Sequence, residues 1–131
     1  MAENIYGYEI RKPMGDEDTY FRAQRNVAGM AAEDGKIVLN PYSPNTKKQQ
    51  MLVAKNEAIR LWLRDNEVDL DFDVTPDQVS SFAGTAYEKP ENREHLKATL
   101  VARWLTGDSS AGAPTQIQQS WADHVKKLLP E

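Results

Sequence analysis

The chain has no cysteine. That one absence excludes disulfide scaffolds, thiolate zinc sites and thiol nucleophiles together, and it is compatible with the cytosol. Histidine is nearly missing too. His95 and His124 are the only two, so imidazole chemistry is confined to two positions. No run of about 18 apolar residues occurs, so no membrane-spanning helix is expected. The opening MAENIYGYEIRK has neither the basic start nor the apolar centre of a secretion signal. Basic charge is not in excess. The formal net charge is −4, which argues against a nucleic-acid coat, where Lys and Arg would release counterions from phosphate. The glycines are scattered, and neither G-x-G-x-x-G nor G-x-x-x-x-G-K-[ST] is present to cradle a phosphate.

What is present is enough for a core. Hydrophobic residues make up 40%, with three Trp, five Tyr and three Phe, so global disorder is not expected. The size prior for 131 residues is one domain over 1–131. A domain of this size buries roughly two-thirds of the surface that its unfolded chain exposes. Residues 1–15 read as a loosely ordered arm or an edge strand, because Asn4 to Ile10 alternates weakly before Pro13 and Gly15. Asp16, Glu17 and Asp18 suit the positive end of a short helix. Val27 to Asn40 reads as a hairpin around a type I′ turn at Asp34-Gly35, or else as a helix followed by a strand. Ser43, with Pro44 in first position, predicts a long helix from Pro44 to Asp65. Leu52, Ile59, Trp62 and Leu63 line its expected apolar face.

Glu67 to Val79, EVDLDFDVTPDQV, is the most ordered pattern. Acids at Glu67, Asp69, Asp71 and Asp73 alternate with Val68, Leu70, Phe72 and Val74. A period of two predicts an extended strand with acids on one face and a buried apolar face on the other. Thr75, Pro76 and Gln78 then predict a capped helix start. A further helix is expected from Pro90 and Asn92 to Gly107. The GDSSAGAP segment reads as a loop, and Thr115 caps a last helix with Ile117, Trp121, Val125 and Leu128 as its apolar stripe. The expected fold is α+β, mostly helical, with about five helices and a small antiparallel hairpin or sheet. The alternative is all-α.

Four constellations carry candidate chemistry. Asp69, Asp71 and Asp73 match the opening of a calcium loop, but the position for Gly holds Val74 and the position for Glu holds Ser80. Solvent-face charges on a half-buried strand explain them better. Asn56-Glu57-Ala58-Ile59-Arg60 keeps only the Glu of a zinc-peptidase H-E-x-x-H helix, which leaves Glu57 as a helix charge with a basic neighbour. Gly107-Asp108-Ser109 resembles a fragment of a serine-hydrolase signature, yet Ala111 breaks G-x-S-x-G. Neither histidine is placed for a triad with Ser109. Lys47, Lys48, Lys55, Arg60 and Arg64 form a basic helix face, the basis for a minority reading as a nucleic-acid binder.

Three segments, VAGMAAEDGKIVLNPYS, NEAIRLWLRD and HLKATLVARWLTGDSSAG, resemble small uncharacterised proteins encoded by tailed phages and prophages. The resemblance covers most of the chain. It implies an accessory protein of phage or bacterial origin and carries over no functional residue. The expectation is therefore a non-enzymatic interaction protein that needs no cofactor and has no membrane partner. It would act in the bacterial or phage-infected cytoplasm, or on the virion, with a protein partner and with homo-oligomers permitted. Its expected contact surface is Asn40, Tyr42 and Ser43 in one turn, Tyr87, and Asp108, Ser109 and Ser110 in the loop. The competing expectation is a small hydrolase or metal-binding protein using residues 67–73.

Overall fold

In the computed structural model, which describes residues 3–108 and 110–130, a two-residue turn at Tyr6-Gly7 folds the first strand back on the second. Among the described residues the chain forms five α-helices and a four-stranded sheet. That is the α+β class, and the sheet excludes the all-α alternative. The described residues fall into two compact units, the first up to Leu61 together with Pro130 and the second from Trp62 to Leu129.

In the first unit, β1 (Glu3–Ile5) and β2 (Tyr8–Arg11) are antiparallel, with Ile5 opposite Tyr8. Tyr6 and Gly7 take φ 54° and 92°, the left-handed pair that a type I′ turn requires. The weak alternation of Asn4 to Ile10 thus straddles a turn. In the sheet, of order β1-β2-β4-β3, β1 is an edge strand and β2 lies inside. The expected hairpin is present as β3 (Gly29–Ala31) and β4 (Ile37–Leu39). Its turn differs from expectation. Gly35 N–H donates to the Ala32 carbonyl, and Ala32 N–H to Lys36. The left-handed position falls on Gly35 alone (φ 79°), as in a three-residue loop with a bulge. Asp34 instead accepts from the Lys36 amide and from Arg11. The sheet is mixed rather than antiparallel, because β2 runs parallel to β4. The connection between those two strands carries α1 (Asp16–Ala23). Arg11 ties the connection down with a bidentate pair to Glu17 (2.7 and 2.8 Å) and a bond to Asp34 (2.9 Å).

The long helix, α2 (Lys47–Asp65), begins three residues later than Ser43 and Pro44 predict. Ser43 is spent in the preceding turn, where its amide donates to the Asn40 carbonyl and its hydroxyl accepts from Asn45. Thr46 and Gln49 form the cap instead, each backbone N–H donating to the other's side-chain oxygen (2.8 and 3.2 Å). Ala54, Ala58 and Leu61 of α2 make a buried cluster with Ile37, against which Ile5, Tyr8, Ile10 and Leu39 pack. Small residues let the helix sit close. A Cβ on Gly29 would meet the Val38 carbonyl at 3.0 Å and Val53 at 3.4 Å. Leu52 departs from the expected face and is 43% exposed.

In the second unit, α2 ends when Val68 N–H donates to the Leu63 carbonyl and Glu67 N–H to Arg64. Glu67 takes φ 49° at the position that usually holds Gly in this helix stop. The expected strand over Glu67–Val74 is absent among the described residues, although its alternation holds. Leu70 and Phe72 are buried, Val68 and Val74 half-buried, and Asp69, Asp71 and Asp73 exposed. Its backbone is engaged otherwise than in a ladder. Phe72 N–H donates to Leu70, and the Asp73 carbonyl accepts from Gln118. Then follow α3 (Pro76–Ser80), two short 3-10 turns at Ala86–Glu88 and Pro90–Asn92, α4 (Arg93–Leu105) and α5 (Gln116–Leu128). Gly107 ends α4 as expected, at φ 81°. Phe82, Leu96, Leu100 and Ala111 form the core, with Val74, Val79, Tyr87 and Trp104 around it. On α5 the expected stripe is displaced. Ile117 is 67% and Leu128 45% exposed, whereas Gln118, Ala122 and Val125 are buried.

Gln118 explains the displacement. Thr75 with Gln78, and Thr115 with Gln118, each close a full capping box. The two glutamine amides then pair reciprocally at 2.8 Å in both directions. Gln118 Nε2 also donates to the Asp73 carbonyl at 2.8 Å. A buried polar side chain is tolerated when its hydrogen bonds are made, and here both helix starts supply them.

Candidate functional site

The acidic residues do not converge. Asp69, Asp71 and Asp73 stay exposed at alternate positions, and no group of three or more metal-type ligands occurs among the described residues. Arg64 lies 3.0 Å from Asp65, and Arg60 lies 2.9 Å from Glu57.

Glu57 has a raised proton affinity. Burial pushes it up, against the opposing pull of the Arg60 guanidinium. A carboxyl with a raised folded-state pKa contributes stability below its unfolded value, and that contribution is lost as pH rises through the folded value. Glu57→Gln removes this penalty. Its stability relative to wild type is therefore expected to rise between about pH 4 and pH 7. Parallel denaturant melts at the two pH values would show it, and a flat or falling difference would refute it.

The loop candidates are dispersed. Ser109 lies outside the described residues. Asp108 accepts from the Ser110 amide at 2.9 Å, and hydrogen bonding from Ser110 holds its carboxyl below the usual range. His95 is exposed on α4. His124 is exposed on α5, edge-on to the Trp121 ring at 5.7 Å.

The expected contact surface is largely engaged in the fold. Asn40 is fully buried. Its Nδ2 donates to the carbonyls of Gln24 (3.2 Å) and Val27 (2.6 Å), and its Oδ1 accepts from the Tyr42 amide (2.9 Å). The Tyr42 hydroxyl donates to Asp18 and accepts from Arg22, both at 2.8 Å. Its ring carries the Arg22 guanidinium at 5.4 Å and that of Arg25 at 5.8 Å. Ser43 is half-buried in the same turn. Tyr87 is half-buried and edge-on to Phe82 at 5.6 Å. Asn40, Tyr42, Ser43 and Tyr87 hold turns in place, and Asp108 and Ser110 are the exposed ones among the described members.

A surface the sequence reading missed lies in the first unit. Ile5 and Tyr6 from the first hairpin, with Met51 and Leu52 from α2, line an open groove of about 420 Å³ edged by Lys48 and Lys55. Positions 48, 51, 52 and 55 recur at i, i+3, i+4 and i+7, so they share one helix face. That spacing is legible in the sequence, but its reading as core hid it. Lys47 and Lys48 stand in the first turn of α2, which has no acid, where the helix dipole disfavours cations. Neither Lys48 nor Lys55 makes an ion pair among the described residues. Tyr6 holds a left-handed φ that an L-residue adopts at a cost of about 1 kcal/mol, and its ring both packs on the core cluster and faces the groove.

No helix among the described residues is long and apolar enough to cross a membrane. Comparison with protein-family models, curated proteins and solved structures gives no match.

Proposed function

We propose that this chain is a non-enzymatic interaction module of phage or prophage type. In this reading an acidic, apolar segment of a protein partner docks in the groove between the first hairpin and the start of α2. The observation that carries it is an apolar floor with an uncompensated basic rim, Lys48 and Lys55. Apolar contact supplies affinity, and complementary charge supplies register and rate. A strained Tyr6 and two cations at the positive end of a helix are local costs, and such costs concentrate where a surface is used for binding. The phage origin rests on the likeness of three sequence segments, and a gene neighbourhood without phage genes would remove it.

The test uses a fluorescent synthetic peptide alternating Leu with Glu and Asp. Half-saturation is expected at about 100 μM. Lys48→Glu combined with Lys55→Glu should weaken binding about tenfold or more, by the loss of close charge complementarity. The Lys48 change should leave the helix as stable or more so, because it places an acid in the first turn. Leu52→Asp should weaken binding to a similar extent. Equal binding of a Lys-bearing peptide would overturn the proposal. So would retention of duplex DNA in place of the peptide, or a dimer dissolved by Leu52→Asp.

A further inference from the structure

A second cavity, of about 610 Å³, lies within the second unit at the first turns of α4. Phe72, Val74, Pro76 and Val79 supply apolar walls, with Ser80 beside them, and Arg93 and Lys97 supply charge. Arg93 is the first residue of α4 and Lys97 stands one turn on, so both side chains serve the same face. Arg93 Nη1 is buried and has no hydrogen-bond partner among the described residues. A buried guanidinium donor left unpaired is costly, and the same Arg93 side chain lines this pocket, so an acceptor seated there would relieve the cost. The end of α4 adds to this. Asn92 provides no side-chain cap, its amide donating to the Ala86 carbonyl instead.

The lining also limits the charge of the ligand. Asp73 stands at the cavity with the two cations. Lys97 already shares its ammonium with Glu94 at 3.3 Å and lies 5.9 Å from the centre of the Phe72 ring. Glu94 is mostly exposed and stands outside the lining, so the pocket keeps one net positive charge from Arg93 and Lys97 against Asp73, and Arg93 makes no ion pair among the described residues. Its planar fork matches a carboxylate, and the apolar walls favour a hydrocarbon body. A cavity of this size falls in the range of small-molecule sites. We propose that this open pocket binds a small monocarboxylate on an apolar body, with Arg93 anchoring the carboxylate and Phe72, Val74 and Val79 in contact with the rest.

The probes are hexanoate, its neutral analogue hexanamide, and inorganic phosphate, each titrated into the full chain while amide and arginine side-chain resonances are followed. Hexanoate is expected to shift Val79, Ser80 and Arg93 saturably, with half-saturation at about 1 mM. Hexanamide and phosphate should bind at least about tenfold more weakly, the difference of one charge-assisted pair. Arg93→Met should abolish the response without lowering the melting midpoint, because it removes an unpaired buried donor. Arg93→Lys should keep a weakened response, since charge survives and the fork does not. Equal shifts from hexanamide would reduce the site to an apolar hole. A response to phosphate alone, or none to hexanoate at about 10 mM, would overturn the proposal. So would hexanoate shifts that persist in Arg93→Met.

Discussion

Gln118→Met is expected to lower the unfolding free energy by about 3–5 kcal/mol, a loss far beyond the ordinary surface substitution. The side chain is 1% exposed, and Met nearly conserves its volume, so packing contributes little to the loss. What disappears is bonding. The Asp73 carbonyl loses a 2.8 Å donor, the Thr115 amide loses a 2.9 Å acceptor, and the Gln78 amide loses its partner in both directions. Each buried group left unmatched costs about 1–3 kcal/mol. Because the two glutamines satisfy each other, the losses are not additive. The double variant Gln78→Met with Gln118→Met should be less destabilised than the sum of the singles by at least about 1 kcal/mol. Chemical denaturation of the four proteins in the cycle measures both values. A single-variant loss below about 1 kcal/mol would mean that water replaces the amide without penalty, contrary to a sealed pair.

Asn40→Asp is expected to cost about 3 kcal/mol or more at neutral pH, because it sets an anion against two carbonyls. The wild-type Nδ2 donates at 3.2 and 2.6 Å to Gln24 and Val27, and the residue is fully buried. An aspartate oxygen at that place has no proton to give. Protonation restores one donor, so the folded state raises the carboxyl pKa. Stability is then retained at low pH and lost as pH rises through the folded value. The deficit relative to wild type should therefore shrink on acidification. Asn40→Ala lacks a titratable group, and its deficit should not narrow in this way. Thermal or denaturant melts of both variants across the acid range separate these behaviours. An Asp variant whose deficit does not vary with pH would refute the account.

The two substitutions fall on residues that the sequence presents very differently. Asn40 reads as an exposed turn residue beside Pro41, Tyr42 and Ser43, and Gln118 as a polar position next to an expected stripe. Nothing local marks either as buried. The partners of Gln118 lie 40 and 45 residues away, and those of Asn40 lie 13 and 16 away. Glu67 escaped recognition as a helix stop for a related reason. Its left-handed backbone is disfavoured for Glu in isolation, and it is held by bonds to the end of α2. Tyr6-Gly7 was hidden because Tyr is a poor type I′ residue. The groove and the pocket were hidden because the same apolar residues that line them look like core.

By itself the sequence determined the features whose partners lie within a few residues. These are the capping boxes at Thr75 and Thr115, the stop at Gly107, the hairpin around Gly35, and the inward turning of Leu70 and Phe72. A side chain three positions from a backbone amide meets it whatever the rest of the chain does. Tertiary structure alone decided whether the alternating Glu67–Val74 segment joined a sheet, because a ladder needs a partner strand and its carbonyl found Gln118. It also decided that β2 pairs parallel with β4, and that α5 turns Gln118, Ala122 and Val125 inward while leaving Ile117 exposed. Those outcomes depend on which distant groups satisfy buried donors and acceptors, and periodicity carries no information about that.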